Sequence, residues 1–122
     1  MTINNLNMPW IESPFFYQIL KEKKSSKIYK KIAINMHEKG YSIIKLNLSK
    51  KFINNINKDI DDALNKGNIK KNPAIFHYNK NPRIVEAWKF SKNVSLLANN
   101  EHIKKILKYL YNSKPLPFST IT

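Results

Sequence analysis

The last third of the chain carries the pattern that most constrains its fold. Residues 116–122 alternate apolar and small polar side chains after Pro115, which is typical of a β-strand. A strand needs a neighbour to pair its backbone N–H and C=O groups. We therefore expect residues 115–122 to be the first strand of a sheet whose other strands follow Thr122. On this expectation the chain is the front part of a larger protein.

Length and composition favour one domain of modest size. We expect residues 1–122 to form a single, incomplete domain, because 122 residues bury only a modest core. No apolar run approaches the roughly 20 residues of a membrane-spanning helix, and residues 1–10 lack the pattern of a secretory signal. The absence of cysteine excludes disulfides and thiolate metal sites within these residues. We expect a cytoplasmic protein without a membrane partner.

The formal net charge of +14 is spread along the chain, with +6 in residues 1–61 and +8 in residues 62–122. Lysine supplies 21 of the 22 basic residues, and Arg83 is the only arginine. Proteins that read nucleic acid favour arginine, because its planar fork pairs bidentately with phosphate and guanine. Lysine, asparagine and isoleucine all have A/T-rich codons, so we attribute the charge mainly to codon bias. We expect weak, salt-sensitive affinity for polyanions and no specific nucleic-acid binding.

Residues 1–25 are predicted to be a lead whose aromatic cluster packs back on the body, and residues 26–112 a helical subdomain. Ser25 or Ser26 is predicted to cap the first helix of this subdomain, and Gly40 to end it. A short strand is predicted at residues 41–46. The aromatic cluster is Phe15, Phe16 and Tyr17, and the buried face of the first helix is Ile28, Ile32, Ala33 and Met36.

Three further helices are predicted after this strand. Ser49 caps the first and Gly67 ends it, Ser91 caps the second, and Asn99 or Asn100 caps the third. Residues 68–82 form a loop that a strand at residues 74–78 interrupts. The predicted buried face of the first of these helices is Phe52, Ile53, Ile56, Ile60, Ala63 and Leu64, and that of the second is Val94, Leu97 and Ala98. The predicted buried face of the third helix is Ile103, Ile106, Leu107 and Leu110, and its Lys104, Lys105 and Lys108 are predicted to face water.

Residues that could support chemistry are few. No histidine pair has the spacing of a metal site, so His37 and His102 are expected at the surface. The acidic cluster Asp59, Asp61 and Asp62 lacks a calcium loop and is expected to be a solvated helix face. In that face Asp62 pairs with Lys66, four residues on. With two glycines in the chain, no phosphate loop is possible.

Three residues near the predicted loop remain as weak candidates for a substrate mouth or a structural anchor: His77, Arg83 and Trp88. Arg83 could hold a carboxylate or phosphate bidentately, or could cap a structural carboxylate such as that of Glu86. His77 could face a pocket or pack in the loop. Trp88 and Phe90 are expected in the core, as large aromatic residues usually are. No catalytic or metal-binding residue is predicted.

Residues 37–61, HEKGYSIIKLNLSKKFINNINKDID, resemble the opening of the phytanoyl-CoA dioxygenase-like proteins. There, a helix ends in an acidic residue and Gly-Tyr, a short strand follows, and a Leu-Ser turn starts a second helix. RIVEAW at 83–88, SLLANNEHIKKILKYLYN at 95–112 and KPLPFSTIT at 114–122 are similar to the family's next segment, in which paired helices lead into a jelly-roll core. The resemblance covers roughly residues 33–122.

This resemblance implies an α+β fold: a mainly helical front segment of about four to five helices, with a few short strands that lead into a double-stranded β-helix (jelly-roll) core. Family members are Fe(II)- and 2-oxoglutarate-dependent oxygenases that hold iron with a His-x-Asp and a distal His. No matching ligand exists here, and the family's His-x-Asp comes shortly after the strand at 115–122. The resemblance therefore implies an enzyme only for a longer parent that acts on a small organic substrate, with neither cofactor bound by this span.

Two other classes of function remain open. The charge and the lysine-rich last helix are also typical of a small basic helical module that binds nucleic acid or another polyanion. A structural or partner-binding helical domain is the third possibility.

Overall fold

A computed structural model describes residues 8–65, 75–78 and 81–117 of the chain. The described part is mainly helical, as predicted. Five α-helices follow in chain order: α1 (Phe16–Glu22), α2 (Lys27–Lys39), α3 (Lys50–Asn65), α4 (Lys92–Ala98) and α5 (Glu101–Tyr111). Strands β1 (Ile75–Tyr78) and β2 (Asn81–Ile84) lie between α3 and α4, and short 3-10 turns span Trp10–Glu12 and Ala87–Lys89.

The helix boundaries follow the predicted capping chemistry. The Ser26 hydroxyl accepts from the Tyr29 N–H at the start of α2, and Ser49 does the same for Phe52 at the start of α3. Gly40 ends α2 with φ of +76°, a left-handed conformation that glycine adopts at little cost. These caps confirm the predicted boundaries, with Ser26 rather than Ser25 at the start of α2. Gly67 and Lys66 lie outside the described residues.

Helix α1 lies inside the predicted N-terminal lead and was not foreseen. Its aromatic residues have weak helix propensity, so helix formation here depends on burial of Phe16 and Leu20. Of the aromatic cluster, Phe16 is fully buried while Phe15 and Tyr17 are half exposed. The prediction that the cluster packs on the body therefore holds for Phe16.

The strand predicted at residues 41–46 is not formed. Residues 41–46 have no regular structure, and no backbone hydrogen bond joins them to another described segment, although a strand requires such a partner. The strand predicted at 74–78 is present as β1, with Ala74 outside the described residues. It pairs antiparallel with β2, which replaces the end of the predicted loop. Residues 115–117 have no regular structure, and 118–122 lie outside the described residues.

The described chain divides into two compact units. The first lies within Met1–Leu46 and Glu101–Pro115, and the second within Asn47–Asn100 and Leu116–Thr122. Whether they act as a single domain stays a prediction. The buried hydrophobic residues of the first unit are Trp10, Ile11, Phe16, Leu20, Ile32, Ala33, Ile106 and Leu110. Those of the second are Ile84, Ala87 and Val94, with Ile56, Ile60, Ala63, Leu64 and Trp88 packed partly buried against them.

Most residues of the predicted helix faces are found in these cores, but some residues predicted to be buried are exposed. Ile28 on α2 is 67% exposed, although it shares a helical pattern with the buried Ile32. Ile53 on α3 and Phe90 after the second 3-10 turn are also exposed. A 3.6-residue pattern gives the direction of a face but not how far the neighbouring elements cover it, so residues at the margin of a face remain in contact with water.

Candidate functional site

The three candidate residues His77, Arg83 and Trp88 all lie in the second unit. The β1–β2 register places His77 opposite Pro82 and Arg83 opposite Phe76, so the two candidates share a hairpin without being paired. Arg83 is exposed, whereas the next residue, Ile84, is buried in the second core. This alternation presents the Arg83 guanidinium to solvent, where a carboxylate or phosphate could reach it.

The carboxylate proposed as a partner for Arg83 makes a different contact. Glu86 forms an ion pair with Lys89, three residues on, across the 3-10 turn Ala87–Lys89. The Lys89 ammonium also lies 5.7 Å from the centre of the Trp88 ring, within cation–π range. Glu86 has a left-handed backbone, with φ of +54°. The choice between ligand and structural roles for Arg83 stays a prediction.

Trp88 packs against the second core, as expected of a large aromatic residue. Its indole Nε1 is buried, yet it has no hydrogen-bond partner among the residues that the structure describes. A buried donor without a partner costs about 1–3 kcal/mol. Phe90 is 40% exposed, so the prediction that it belongs to the core is wrong. The chain leaves the 3-10 turn at this residue, which leaves its ring beside solvent.

A polar junction between α3 and α4 was not foreseen. The Asp59 carboxylate accepts hydrogen bonds from the Ser91 hydroxyl at 2.5 Å and from the Asn93 amide at 2.9 Å. Ser91 is also the N-cap of α4, because its oxygen accepts from the Val94 N–H at 3.1 Å. The hydrogen bond from Ser91, followed by that from Asn93, holds the pKa of Asp59 below its ordinary value.

This junction corrects the prediction of a purely solvated aspartate cluster: Asp61 is exposed as expected, whereas Asp59 connects two helices. A carboxylate on a serine hydroxyl can resemble a nucleophile with its base. Here Ser91 is buried, with 3% of the residue exposed, and its hydroxyl oxygen already accepts from the α4 backbone. We therefore assign the junction a structural role.

A second polar arrangement lies in the first unit, at the C-terminal end of α2. His37 is exposed, as predicted, but its ring stacks on Phe16 with 4.1 Å between ring centres. Its Nδ1 lies 2.6 Å from the Ile11 carbonyl oxygen, which can only accept, so Nδ1 carries the hydrogen. The neighbouring Glu38 accepts from the Tyr17 hydroxyl, and this hydrogen bond raises the pKa of Tyr17. These contacts connect α1, α2 and the Trp10–Glu12 turn.

The Trp10 side chain contacts α5, the last helix. The Trp10 indole N–H donates to the Tyr109 carbonyl at 3.0 Å, joining residues 99 positions apart. The Lys23 ammonium lies 4.9 Å from the Trp10 ring and 5.3 Å from the Tyr109 ring, and it donates to the Asn112 side chain at 3.2 Å. Partial burial lowers the pKa of Lys23. Sequence reasoning missed this cluster because its members are far apart in the chain.

The described residues do not provide an iron site. Within residues 8–65, 75–78 and 81–117, no group of three histidine, cysteine, aspartate or glutamate side chains could hold a metal ion. His37 makes contacts in the first unit and Asp59 in the second, and His102 is exposed on α5. The residues present thus do not fit the facial triad that the resemblance implies for a longer parent.

In the described part of the chain, no helix combines the length and the apolar character that crossing a bilayer requires.

Comparisons of the chain with protein-family models, with curated proteins and with solved structures found no match.

Proposed function

We propose that this chain is the helical front part of a phytanoyl-CoA dioxygenase-like, Fe(II)- and 2-oxoglutarate-dependent oxygenase that hydroxylates a small organic substrate. Iron and 2-oxoglutarate would be held by a jelly-roll core encoded after residue 122. On this proposal the 122 residues alone bind neither cofactor and turn over no substrate. The cytoplasm is the proposed compartment, in agreement with the cysteine-free composition.

The observation that supports the proposal is the local structure of residues 37–61, where the sequence resemblance is densest. Helix α2 ends at Lys39, Gly40 is left-handed, residues 41–48 form a connecting segment without regular structure in which Asn47 has φ of +51°, and Ser49 caps α3. This order of helix, Gly-Tyr, connecting segment and Ser-capped helix agrees with the resemblance, except that the short strand it implies after Gly-Tyr is not formed. The residues 101–111 also form a helix, α5, after the shorter α4, as the paired helices of the resemblance require.

Arg83, His77 and Trp88 keep their proposed role at the substrate mouth or as structural anchors. Exposure of Arg83 on β2 supports a role in pairing with an anionic group of the substrate. The packing of Trp88 on the second core supports an anchoring role for this residue.

The test begins with the reading frame of the gene after codon 122. We expect a His-x-Asp within a few strands and a histidine further on. The longer product should then consume 2-oxoglutarate and form succinate only with Fe(II) present, and replacement of the histidine of the His-x-Asp by alanine should abolish this consumption. The matched control is the 122-residue chain, which should form no succinate. A stop codon directly after Thr122, or a continuation without His-x-Asp, contradicts the proposal.

The alternative is a small basic helical module that binds nucleic acid or another polyanion. Exposure of Lys105 and Lys108 on α5 favours it, because these side chains can reach phosphates without unfolding the helix. A gel-shift titration at rising salt separates the two. Binding that survives physiological salt and prefers one sequence favours the basic module, whereas binding that disappears in salt reflects net charge alone.

A further inference from the structure

Residues 41–46, between α2 and α3, show the alternating side-chain exposure of a strand that lies on the first core with one face in solvent. The odd-numbered residues Tyr41, Ile43 and Lys45 are exposed, and the even-numbered ones are half-buried. Ile44 packs against the first core, and the Ser42 Oγ is buried on the same side. Side chains that alternate with a period of two are the mark of a half-covered β-strand.

The outer face of this segment is unusually apolar for its exposure. Ile43 is 86% exposed and Tyr41 is 61% exposed. No backbone hydrogen bond joins residues 41–46 to any other described residue. Within the part of the chain that the structure describes, the segment therefore combines a row of N–H and C=O groups without backbone partners and two large apolar side chains, which is what an added strand requires.

Charge indicates the kind of strand that fits. Lys39 and Lys45 are exposed at this segment, and the sequence has five lysines and no acidic residue from position 39 to position 58. A second copy of the chain would bring another formal charge of +14 to this edge, and like charges oppose such pairing. An acidic partner gains from the same field, both in encounter rate and in pairing with Lys45.

We propose that residues 41–46 bind an extended, acidic segment of another protein by strand addition. The partner strand runs antiparallel, with an acidic side chain opposite Lys45 and apolar side chains opposite Ile43 and Tyr41. Its sequence therefore reads acidic–x–apolar–x–apolar. Main-chain hydrogen bonds hold the strand, while the cross-strand pairs select it. This interaction does not depend on the oxygenase proposal.

The probe is a fluorescein-labelled, capped peptide Thr-Glu-Thr-Val-Thr-Val-Thr, titrated into the 122-residue chain and followed by anisotropy. Three matched peptides accompany it: one with Lys in place of Glu, one with N-methyl groups on alternate amides of the pairing edge, and one of seven glutamates. We expect the Lys peptide to bind at least tenfold more weakly and the N-methylated peptide not to bind. Hydrogen exchange should slow at alternate amides within residues 41–46 when the first peptide binds.

Three variants test the position of the site. Ile43→Lys should weaken binding of the first peptide at least tenfold, whereas Ile28→Lys, at an exposed isoleucine of α2 in the same unit, should change it less than twofold. Ile43→Thr keeps strand propensity and should give an intermediate loss, so it replaces Ile43→Lys should that variant not fold. Circular dichroism reports folding for all three.

Several results would overturn the proposal. Binding that N-methylation leaves unchanged excludes backbone pairing, and equal binding of the glutamate peptide reduces the interaction to net charge. Absence of binding at millimolar peptide would exclude the site. Dimerisation that rises with protein concentration and protects residues 41–46 without peptide would identify a second copy as the occupant instead.

Discussion

The two units of this chain differ in how many hydrophobic residues their described cores bury. In the first unit, eight hydrophobic residues are buried, and they come from segments at both ends of the described chain. Trp10 stacks on Phe16 at 5.4 Å and meets Tyr109 edge-on at the same distance, and its N–H is bonded to the Tyr109 carbonyl. Aromatic pairs of this kind add to the free energy of burial.

In the second unit the described core has three buried residues, and α3 contributes none that is fully buried. This unit contains the junction of the Asp59 carboxylate with Ser91 and Asn93. It also contains the Trp88 indole N–H, which has no hydrogen-bond partner among the described residues. The comparison shows that helical periodicity alone does not predict how deeply the apolar side chains of a helix are buried. Helix α3 shows a regular apolar face, yet its side chains remain half-covered.

Matched core substitutions provide the strongest test of this difference. Ile106 in the first core and Ile84 in the second are each 1% exposed, so both lose the same side-chain atoms on replacement by alanine. Such substitutions cost about 2–5 kcal/mol, and the cost rises when the surroundings cannot collapse into the cavity. We expect Ile106→Ala near the upper end of this range and Ile84→Ala near the lower end.

Urea titration gives the free energy of unfolding, and hydrogen exchange of α2 and α4 amides shows which unit each substitution affects. Leu96→Ala on α4, at a side chain that is 56% exposed, is the control and should change stability by less than about 0.5 kcal/mol. An Ile84→Ala cost equal to or above that of Ile106→Ala would show that the two cores do not differ as proposed.

The Asp59 junction provides the second test, because its contribution depends on pH. Replacement by asparagine keeps an acceptor but removes the charge, so Asp59→Asn should cost about 1–2 kcal/mol at pH 7. The pKa of Asp59 is lower in the folded chain than its unfolded value of about 3.9. Its stabilisation is therefore complete above the unfolded pKa and is lost as the pH falls through the folded pKa.

The measurement is the stability difference between the natural chain and Asp59→Asn from pH 7 to pH 2, by urea titration. It should be constant above about pH 5 and should shrink below about pH 4. Asp61→Asn is the matched control, since Asp61 is an exposed residue of the same helix. A difference that does not vary with pH would assign the cost to packing instead of charge.

A glycine in the first unit gives a third, smaller effect. Gly40 has φ of +76°, and a Cβ added there would meet no atom within 4 Å. Gly40→Ala therefore costs only the left-handed backbone penalty of about 1–2 kcal/mol, offset in part by the lower entropy of the unfolded chain. We expect a net loss of about 1 kcal/mol by urea titration. Gly40→Asn should lose less, because asparagine tolerates this conformation, and an equal loss would contradict the backbone explanation.

How far the sequence predicts this structure depends on the range of the interactions. Gly40, Ser49 and Ser91 are identified correctly from the sequence, and Ser26 as one of two alternatives with Ser25, because a cap acts within one turn of its own helix. The contacts of Trp10 with Tyr109 and of Asp59 with Ser91 join residues 99 and 32 positions apart, and no local pattern signals them. Helix α1 was missed for the same reason, since its stability depends on tertiary burial of Phe16.

For the candidate site residues, too, the sequence predicts local features but not the contacts that depend on distant parts of the chain. The isolation of Arg83 among lysines was visible in composition, and its exposure on β2 is a finding of the structure. Strand β2 was not predicted from the sequence, because it contains Pro82. Proline usually argues against a strand, since it cannot donate a backbone hydrogen bond to a neighbouring strand. The segment 41–46 alternates as predicted for a strand, but pairing depends on a neighbour that its own sequence does not specify.

The smallest expected effect concerns Glu86, the counterpart of Gly40 in the second unit. Glu86 has φ of +54° and thus bears the left-handed penalty of about 1–2 kcal/mol that a glycine would avoid. Glu86→Gly removes this penalty, but it raises the entropy of the unfolded chain by about 0.4–1 kcal/mol and deletes the partly exposed ion pair with Lys89, which is worth a few tenths. The balance predicts a gain of about 0.5 kcal/mol.

Lys89→Ala separates the two contributions, since it deletes the ion pair and keeps the strained backbone, and it should lose no more than about 0.5 kcal/mol. Urea titration of both variants, with hydrogen exchange of α4 amides as the local readout, gives the comparison. Gly40→Ala and Glu86→Gly should then shift stability in opposite directions. If Glu86→Gly instead destabilises the chain by more than Lys89→Ala does, the left-handed backbone at Glu86 carries no strain, and the two units do not differ at these turns.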